Sequence, residues 1–154
     1  LNKINKGFTR NDFENAVTLM QDLKREKGYN LKSKAYIFVK PILVSEKQAI
    51  EEAIETARYC DSIGVNRLSF CPATIHGGTV IERFWRKGAY QPPGIWSCVE
   101  IINTVRDELD IPALLDCGVE GIAISGYVVN ASWPMEAMLE VMYNAKLITW
   151  KYLL

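Results

Sequence analysis

Closely spaced cysteines are missing from this sequence. Its four cysteines stand at positions 60, 71, 98 and 117, so neither a CxxC nor a CxxxC pair occurs. Zinc ribbons and cubane iron–sulfur sites draw several thiolates from one short loop, so a local metal site is not expected. Four thiols in 154 residues are too sparse for a disulfide scaffold and read as reduced, mostly buried cysteines of a cytoplasmic protein. Histidine is nearly absent, His76 standing alone. Neither sign of charge is in excess, with 18 basic residues against 18 acidic ones. A module that grips nucleic acid mainly through phosphates is usually basic, so high-affinity binding by charge alone is excluded. No apolar run approaches the roughly 18 residues of a membrane span, and residues 1–30 are too polar for a signal peptide. Internal repeats, linkers and low-complexity stretches are also lacking.

What remains is an ordinary globular composition, 49% apolar and 23% charged, at a length suited to one domain. Its periodicity alternates between helix and strand. Residues 10–27 form a helical pattern through Phe13, Ala16, Val17, Met20 and Leu23. Thr9 is its N-cap, Phe8 and Phe13 form a hydrophobic staple, and Gly28 stops it. The run from Ala35 to Val39 is apolar at every position, which predicts a parallel strand buried on both faces. Ser45 opens a second helix, with Gln48 completing a capping box and Gly64 ending it. A strand over 65–70 follows, then a short helix capped by Thr79 with Glu82 three residues on and Gly88 as its stop. Gln91-Pro92-Pro93-Gly94 breaks the chain before a helix over 95–108. Strands are predicted at 111–115 and 121–128, and a last helix from Ser132. Trp96 and Trp133, each beside a helix start, are expected to anchor those starts in the core. The order is that of an α/β fold of about four parallel strands flanked by helices, either doubly wound or a partial (β/α) barrel, since four strands cannot close one.

In both architectures ligands meet the loops after the C-terminal ends of the strands. Lys40 ends the first strand before a proline. It is either a solvated strand-end lysine or an amine able to form a Schiff base or pair with a carboxylate or phosphate. Cys71 ends the second strand, where a structural thiol outweighs a reactive one. His76, beside Gly77 and Gly78 and just before a helix, is either incidental or a base or anion contact. The Gly77-Gly78-Thr79 segment is too short for a phosphate loop. Glu82-Arg83-Phe84-Trp85-Arg86-Lys87 with Tyr90 interleaves cations and aromatics, as a solvated helix face does and as a site that stacks on a base does.

Several segments, in their order and spacing, carry a resemblance. They are Asn5-Lys6-Gly7-Phe8-Thr9; Lys34 to Pro41, with Glu46, Ala49 and Ile50 behind it; Leu68 to Pro72; Gly78 to Glu82 and Trp85 to Gly88; and Tyr90 to Ser97. This stretch, from Asn5 to about Glu108, resembles the second half of an elongator-like radical SAM barrel, most of all the archaeosine-forming (RaSEA) family. The resemblance implies that residues 1–110 are the second half of such a (β/α) barrel, with 111–154 an unplaced C-terminal strand and helix segment. It implies that the chain is the C-terminal part of a longer polypeptide. The full-length protein would use S-adenosylmethionine and a [4Fe–4S] cluster to abstract hydrogen from a lysine-bearing 7-deazaguanine in tRNA, leaving archaeosine. This chain alone would bind neither cofactor, because the family's CxxxCxxC motif is not in it. Lys40, Ser69 and Cys71 would line the cofactor side of the barrel mouth. His76, Arg83 and Arg86 would border the substrate side. The implied partners are tRNA and a tRNA-modification partner protein, with no membrane.

Two other readings stay open on the residues themselves. One is a cofactor-free, aldolase-like barrel piece using Lys40 as a Schiff-base nucleophile. The other is a non-enzymatic RNA-binding or protein-interaction subunit that uses the segment from Arg83 to Tyr90.

Overall fold

In a computed structural model the structure describes residues 7–115. Their elements are α1 (Arg10–Lys27), β1 (Lys34–Val39), α2 (Glu46–Ser62), β2 (Arg67–Pro72), α3 (Val80–Arg86), α4 (Ile95–Glu108) and β3 (Ala113–Leu115). The helix starts follow local chemistry. Thr9 and Asp12 exchange side-chain and backbone hydrogen bonds in a capping box at α1, and Ser45 and Gln48 do the same at α2. Thr79 accepts from the Glu82 amide at α3. These contacts satisfy amide donors that a first helical turn leaves without partners. Phe8 is exposed while Phe13 packs on the core, so the capping box rather than the expected staple fixes the entry to α1. Gly28 closes the helix in the left-handed conformation that its missing side chain permits.

The three strands form one parallel sheet in the order β1-β2-β3. Alternation along a strand separates its two faces. Ala35, Ile37 and Val39 of β1, Leu68 and Phe70 of β2, and Ala113 and Leu115 of β3 join a single core cluster. Val17 of α1, Ala53, Ile54, Ala57 and Cys60 of α2, and Ile101, Ile102 and Val105 of α4 belong to the same cluster. The helices that pack on the sheet therefore cover one face of it. Burying a large apolar side chain such as Phe70 contributes roughly 1.5–3 kcal/mol. Arg58 of α2 and Glu108 of α4 add a two-pronged ion pair at 2.8 Å across the outer helix surface.

The opposite face carries Lys34, Tyr36 and Phe38 beside Ser69 and Cys71, with Leu114 beyond Ser69. Tyr36 and Phe38 are exposed, which corrects the expectation that β1 is buried on both faces. The strand is parallel, as expected, but among the described residues only one face of it is buried. A second correction concerns Trp96. It is 71% exposed at the start of α4, because Ile95, Cys98, Ile101, Ile102 and Val105 fill the inward stripe of that helix. The fourth strand expected at 121–128 and the helix from Ser132 with Trp133 lie outside the described residues. Among those residues no helix is long and apolar enough to cross a membrane.

Candidate functional site

Because the strands are parallel, Val39 and Pro72 come out side by side, and the Ala73 amide donates to the Val39 carbonyl at 3.0 Å. The rim above them is built from the loop after β1, the loop after β2, and the segment that leads into α4. Its centre is Lys40. This residue is only 8% exposed, against the reading of it as a solvated strand-end lysine. Its Nζ lies 2.5 Å from Glu46 Oε2 and donates to the Pro92 carbonyl at 3.3 Å. The Tyr90 hydroxyl donates to the Lys40 carbonyl at 2.8 Å, and the ammonium sits 5.8 Å from the Tyr90 ring centre.

Glu46 is the second half of this clasp. Its other oxygen accepts from the Gly94 amide at 2.7 Å, and Ser97 adds a side-chain hydrogen bond. Burial pushes the Glu46 carboxyl up, but the bonds from Lys40, Ser97 and Gly94 outweigh it, so the group titrates below the usual glutamate range. Burial, with the nearby Glu46 charge, pushes the Tyr90 hydroxyl far above the usual phenol range. One carboxylate thus ties the end of β1 to the start of α2 and to the entry of α4. The backbone is strained where it makes this turn, with Lys40 at φ 60° and Leu43 at φ 66°. Side chains there cost on the order of 1 kcal/mol or more each, and such positions concentrate at functional sites.

The residues expected on the cofactor side separate into two places. Ser69 and Cys71 share the face opposite the helices, Cys71 directly beside Phe38. Ser69 is fully buried and Cys71 half-buried. Lys40, by contrast, is committed to the clasp. The residues expected on the substrate side fall in one segment. His76 is exposed and hydrogen-bonds Thr74 Oγ1 through Nε2 at 2.7 Å. Arg86 holds Glu82 Oε1 through two nitrogens, at 2.8 and 2.6 Å, while Glu82 Oε2 accepts from the Gly78 amide. Arg86, followed by Gly78, holds the Glu82 carboxyl below its usual range. Arg83 points an unpaired guanidinium outward among the described residues. The sequence reading named Tyr90 only with the cation–aromatic run, Glu46 only within the resembling segments and Trp96 only as a core anchor, and assigned none of them to this site. An acid in the first turn of α2, a few residues beyond a strand-end lysine, was the available signal for Glu46.

These features define an α/β protein with parallel strands, helices on one face, and a clasped, partly cationic rim at the strands' C-terminal ends. The chain is 40% identical over 119 residues to an uncharacterized protein of Methanocaldococcus jannaschii, a match that takes in 77% of this chain and 31% of that one. It is 36% identical over 107 residues to archaeosine synthase subunit beta of Methanosarcina acetivorans, covering 67% of this chain and 28% of the relative. The corresponding protein of Thermococcus kodakarensis, of the same name, is 36% identical over 103 residues, 64% of this chain and 28% of its own. The chain therefore spans about a third or less of the relatives it matches. No family model and no solved structure matches it.

Proposed function

We propose that this chain is part of a radical SAM enzyme that forms archaeosine in tRNA from a lysine-bearing 7-deazaguanine. The observation that carries this reading is the similarity to two proteins named archaeosine synthase subunit beta, over 107 and 103 residues of this chain. The fold is consistent with it. Consecutive parallel strands in the order β1-β2-β3, with the helices among the described residues packed on one face, match the arrangement of a barrel wall. In this proposal the face bearing Ser69 and Cys71 looks into the barrel, and S-adenosylmethionine lies toward it at the mouth beside Lys40. His76, Arg83 and Arg86 border the tRNA.

The [4Fe–4S] cluster does not fit the described residues. No group of three histidine, cysteine, aspartate or glutamate side chains comes together there. Cys60, Cys71 and Cys98 lie on three different elements. The proposal gives the cluster to polypeptide beyond these residues and routes no step through these thiols. What this chain contributes is position. The clasp fixes the height of the rim, the open face offers an apolar wall at Phe38, and Arg83 supplies a cation toward the RNA. The word "subunit" in the relatives' names fits a protein partner in the same assembly.

The test uses the full-length protein, reconstituted anaerobically and supplied with S-adenosylmethionine, a reductant and tRNA carrying the lysine-bearing base. Nucleoside mass spectrometry is expected to show archaeosine, with 5′-deoxyadenosine formed alongside it. Absence of both products overturns the reading. So does an iron–sulfur charge-transfer band from the 154-residue chain alone.

A further inference from the structure

β1 is an edge strand: in the order β1-β2-β3, no strand among the described residues lies on its other side. Its six residues pair with β2 in unbroken register. The Ala73 amide donates to the Val39 carbonyl, so Ala35, Ile37 and Val39 turn their backbone groups toward β2. Alternation then turns the amides and carbonyls of Tyr36 and Phe38 toward the open edge. Natural sheets blunt such edges with bulges, charge or proline. Here the unpaired groups belong to two exposed aromatics, and Lys34, Lys40 and Pro41 stand only at the strand's ends. A groove of about 1280 Å³ opens beside this edge, lined by Phe8 and Phe13, by Tyr36 and Phe38, and by Ala53 and Thr56 of α2.

The order of the elements selects the occupant. α2 leads from β1 to its parallel neighbour β2, and α3 with α4 leads from β2 to β3. α1 leads into β1 in the same way, yet no strand precedes it among the described residues. Crossovers between parallel strands of one sheet are right-handed in about 98% of cases. Since α1, α2 and α4 all contribute to the same core on one face, that rule fixes the direction of travel across the sheet. A strand that feeds α1 then falls on the free edge of β1, parallel to it. The matched region is 28–31% of each relative, so most of such a polypeptide lies outside it and has the length to supply the strand. A second copy of the chain pairing edge to edge about a two-fold axis would instead run antiparallel and leave α1 without its strand.

We propose that the open edge of β1 receives a parallel strand from polypeptide that precedes α1 in the full-length protein. Its backbone bonds the free groups of Tyr36 and Phe38, and its apolar side chains fill the groove. The inference rests on the reading of this chain as part of a longer polypeptide, and not on the chemistry proposed above. It is tested in the full-length protein by hydrogen exchange read at single amides. In a separate variant, Thr56, exposed at the groove, is replaced by photoreactive p-benzoylphenylalanine. The Tyr36 and Phe38 amides are expected to exchange within about tenfold of those of Ile37 and Val39, equally at low and high protein concentration. Illumination is expected to link position 56 to a peptide upstream of α1 in the same molecule. The proposal is overturned if Tyr36 and Phe38 exchange more than about tenfold faster than Ile37 and Val39, as at an open edge. It is also overturned if their protection falls on dilution, or if the cross-link captures a second copy or any other segment, residues 116–154 included. The radical SAM reading stands or falls separately, on archaeosine and 5′-deoxyadenosine formation.

Discussion

The two ends of the parallel strands are finished in different ways. At the N-terminal end the connections close with neutral groups. Asn66 Oδ1 accepts from the Ser33 amide and hydroxyl, and Ser33 Oγ accepts in return from the Asn66 amide. Gln21 Nε2 donates to the Ile63 carbonyl at 3.0 Å. Where the chain there needs a left-handed turn, Gly28 or Gly64 provides it. At the C-terminal end Gly78 takes one such turn, but the same geometry also falls on Lys40 and Leu43, a partly buried ion pair closes the loops, and Trp96 and Leu43 face water. The base confines this geometry to glycine, while the rim also imposes it on side-chain-bearing residues that it strains. Strain and exposed apolar surface that add nothing to folding are what a binding face retains and a purely structural end has no reason to keep.

The sharpest way to break this contrast is Glu46→Gln. The change leaves Lys40 in the clasp without its counter-charge, and breaking a buried pair from one side costs roughly 3–5 kcal/mol. Glu46 is 38% exposed, so solvent screening reduces the expected loss to about 2 kcal/mol in urea unfolding at neutral pH. The pH dependence follows from the direction of the Glu46 shift. Its carboxyl titrates lower folded than unfolded, so the contribution is complete above the unfolded glutamate value. It is lost as pH falls through the lowered folded value. The gap between wild type and E46Q should therefore be widest at neutral pH and close below the ordinary glutamate range. A gap that stays constant into acid would show that the charge of Glu46 is not what holds the rim.

Asn66→Ala is the matching change at the base. It removes the side-chain oxygen that accepts from the Ser33 amide and hydroxyl, while the backbone amide of residue 66 still donates to Ser33 Oγ, and water can replace part of the loss. A loss of about 1 kcal/mol is expected. Neither Asn66 nor Ser33 titrates, so this loss should be the same across the pH range in which the E46Q effect disappears. A strongly pH-dependent loss would mean that the base also relies on charge, and the contrast between the ends would fail.

Much of this architecture was legible from the amino acids because its signals are local. Thr9, Ser45 and Thr79 each stand three residues before Asp12, Gln48 or Glu82, and Gly28, Gly64 and Gly88 mark the stops, so the helices could be placed closely. The parallel strands followed from short apolar runs separated by helices. The exposure of Tyr36 and Phe38 was not legible, because an aromatic residue reads the same on a covered face as on an open one. The clasp was hidden for another reason. Lys40 meets Glu46 only because the intervening turn enters the left-handed region, and its other partners, Tyr90 and Pro92, lie about fifty residues away. Trp96 did leave a trace. A step of ~100° from buried Ile95 carries the next side chain off the inward stripe of a helix, and the periodicity of α4 already pointed that ring outward.

The smallest expected effect has the opposite sign. Leu43 holds φ at 66° while 68% exposed, so its side chain incurs backbone strain and recovers little by burial. In Leu43→Gly the strain disappears, because glycine enters the left-handed region without a clash. Glycine also has more backbone freedom to lose on folding, which offsets part of the gain. The balance predicts a stabilisation of up to about 1 kcal/mol, read as a higher urea midpoint with an unchanged slope. A base position offers no comparable gain, since its left-handed residues are already glycines. If L43G unfolds at lower urea than the wild type, Leu43 is contributing packing to the fold itself. The rim would then have to be understood as structural at that point, and the argument from unrewarded strain would no longer set the two ends apart.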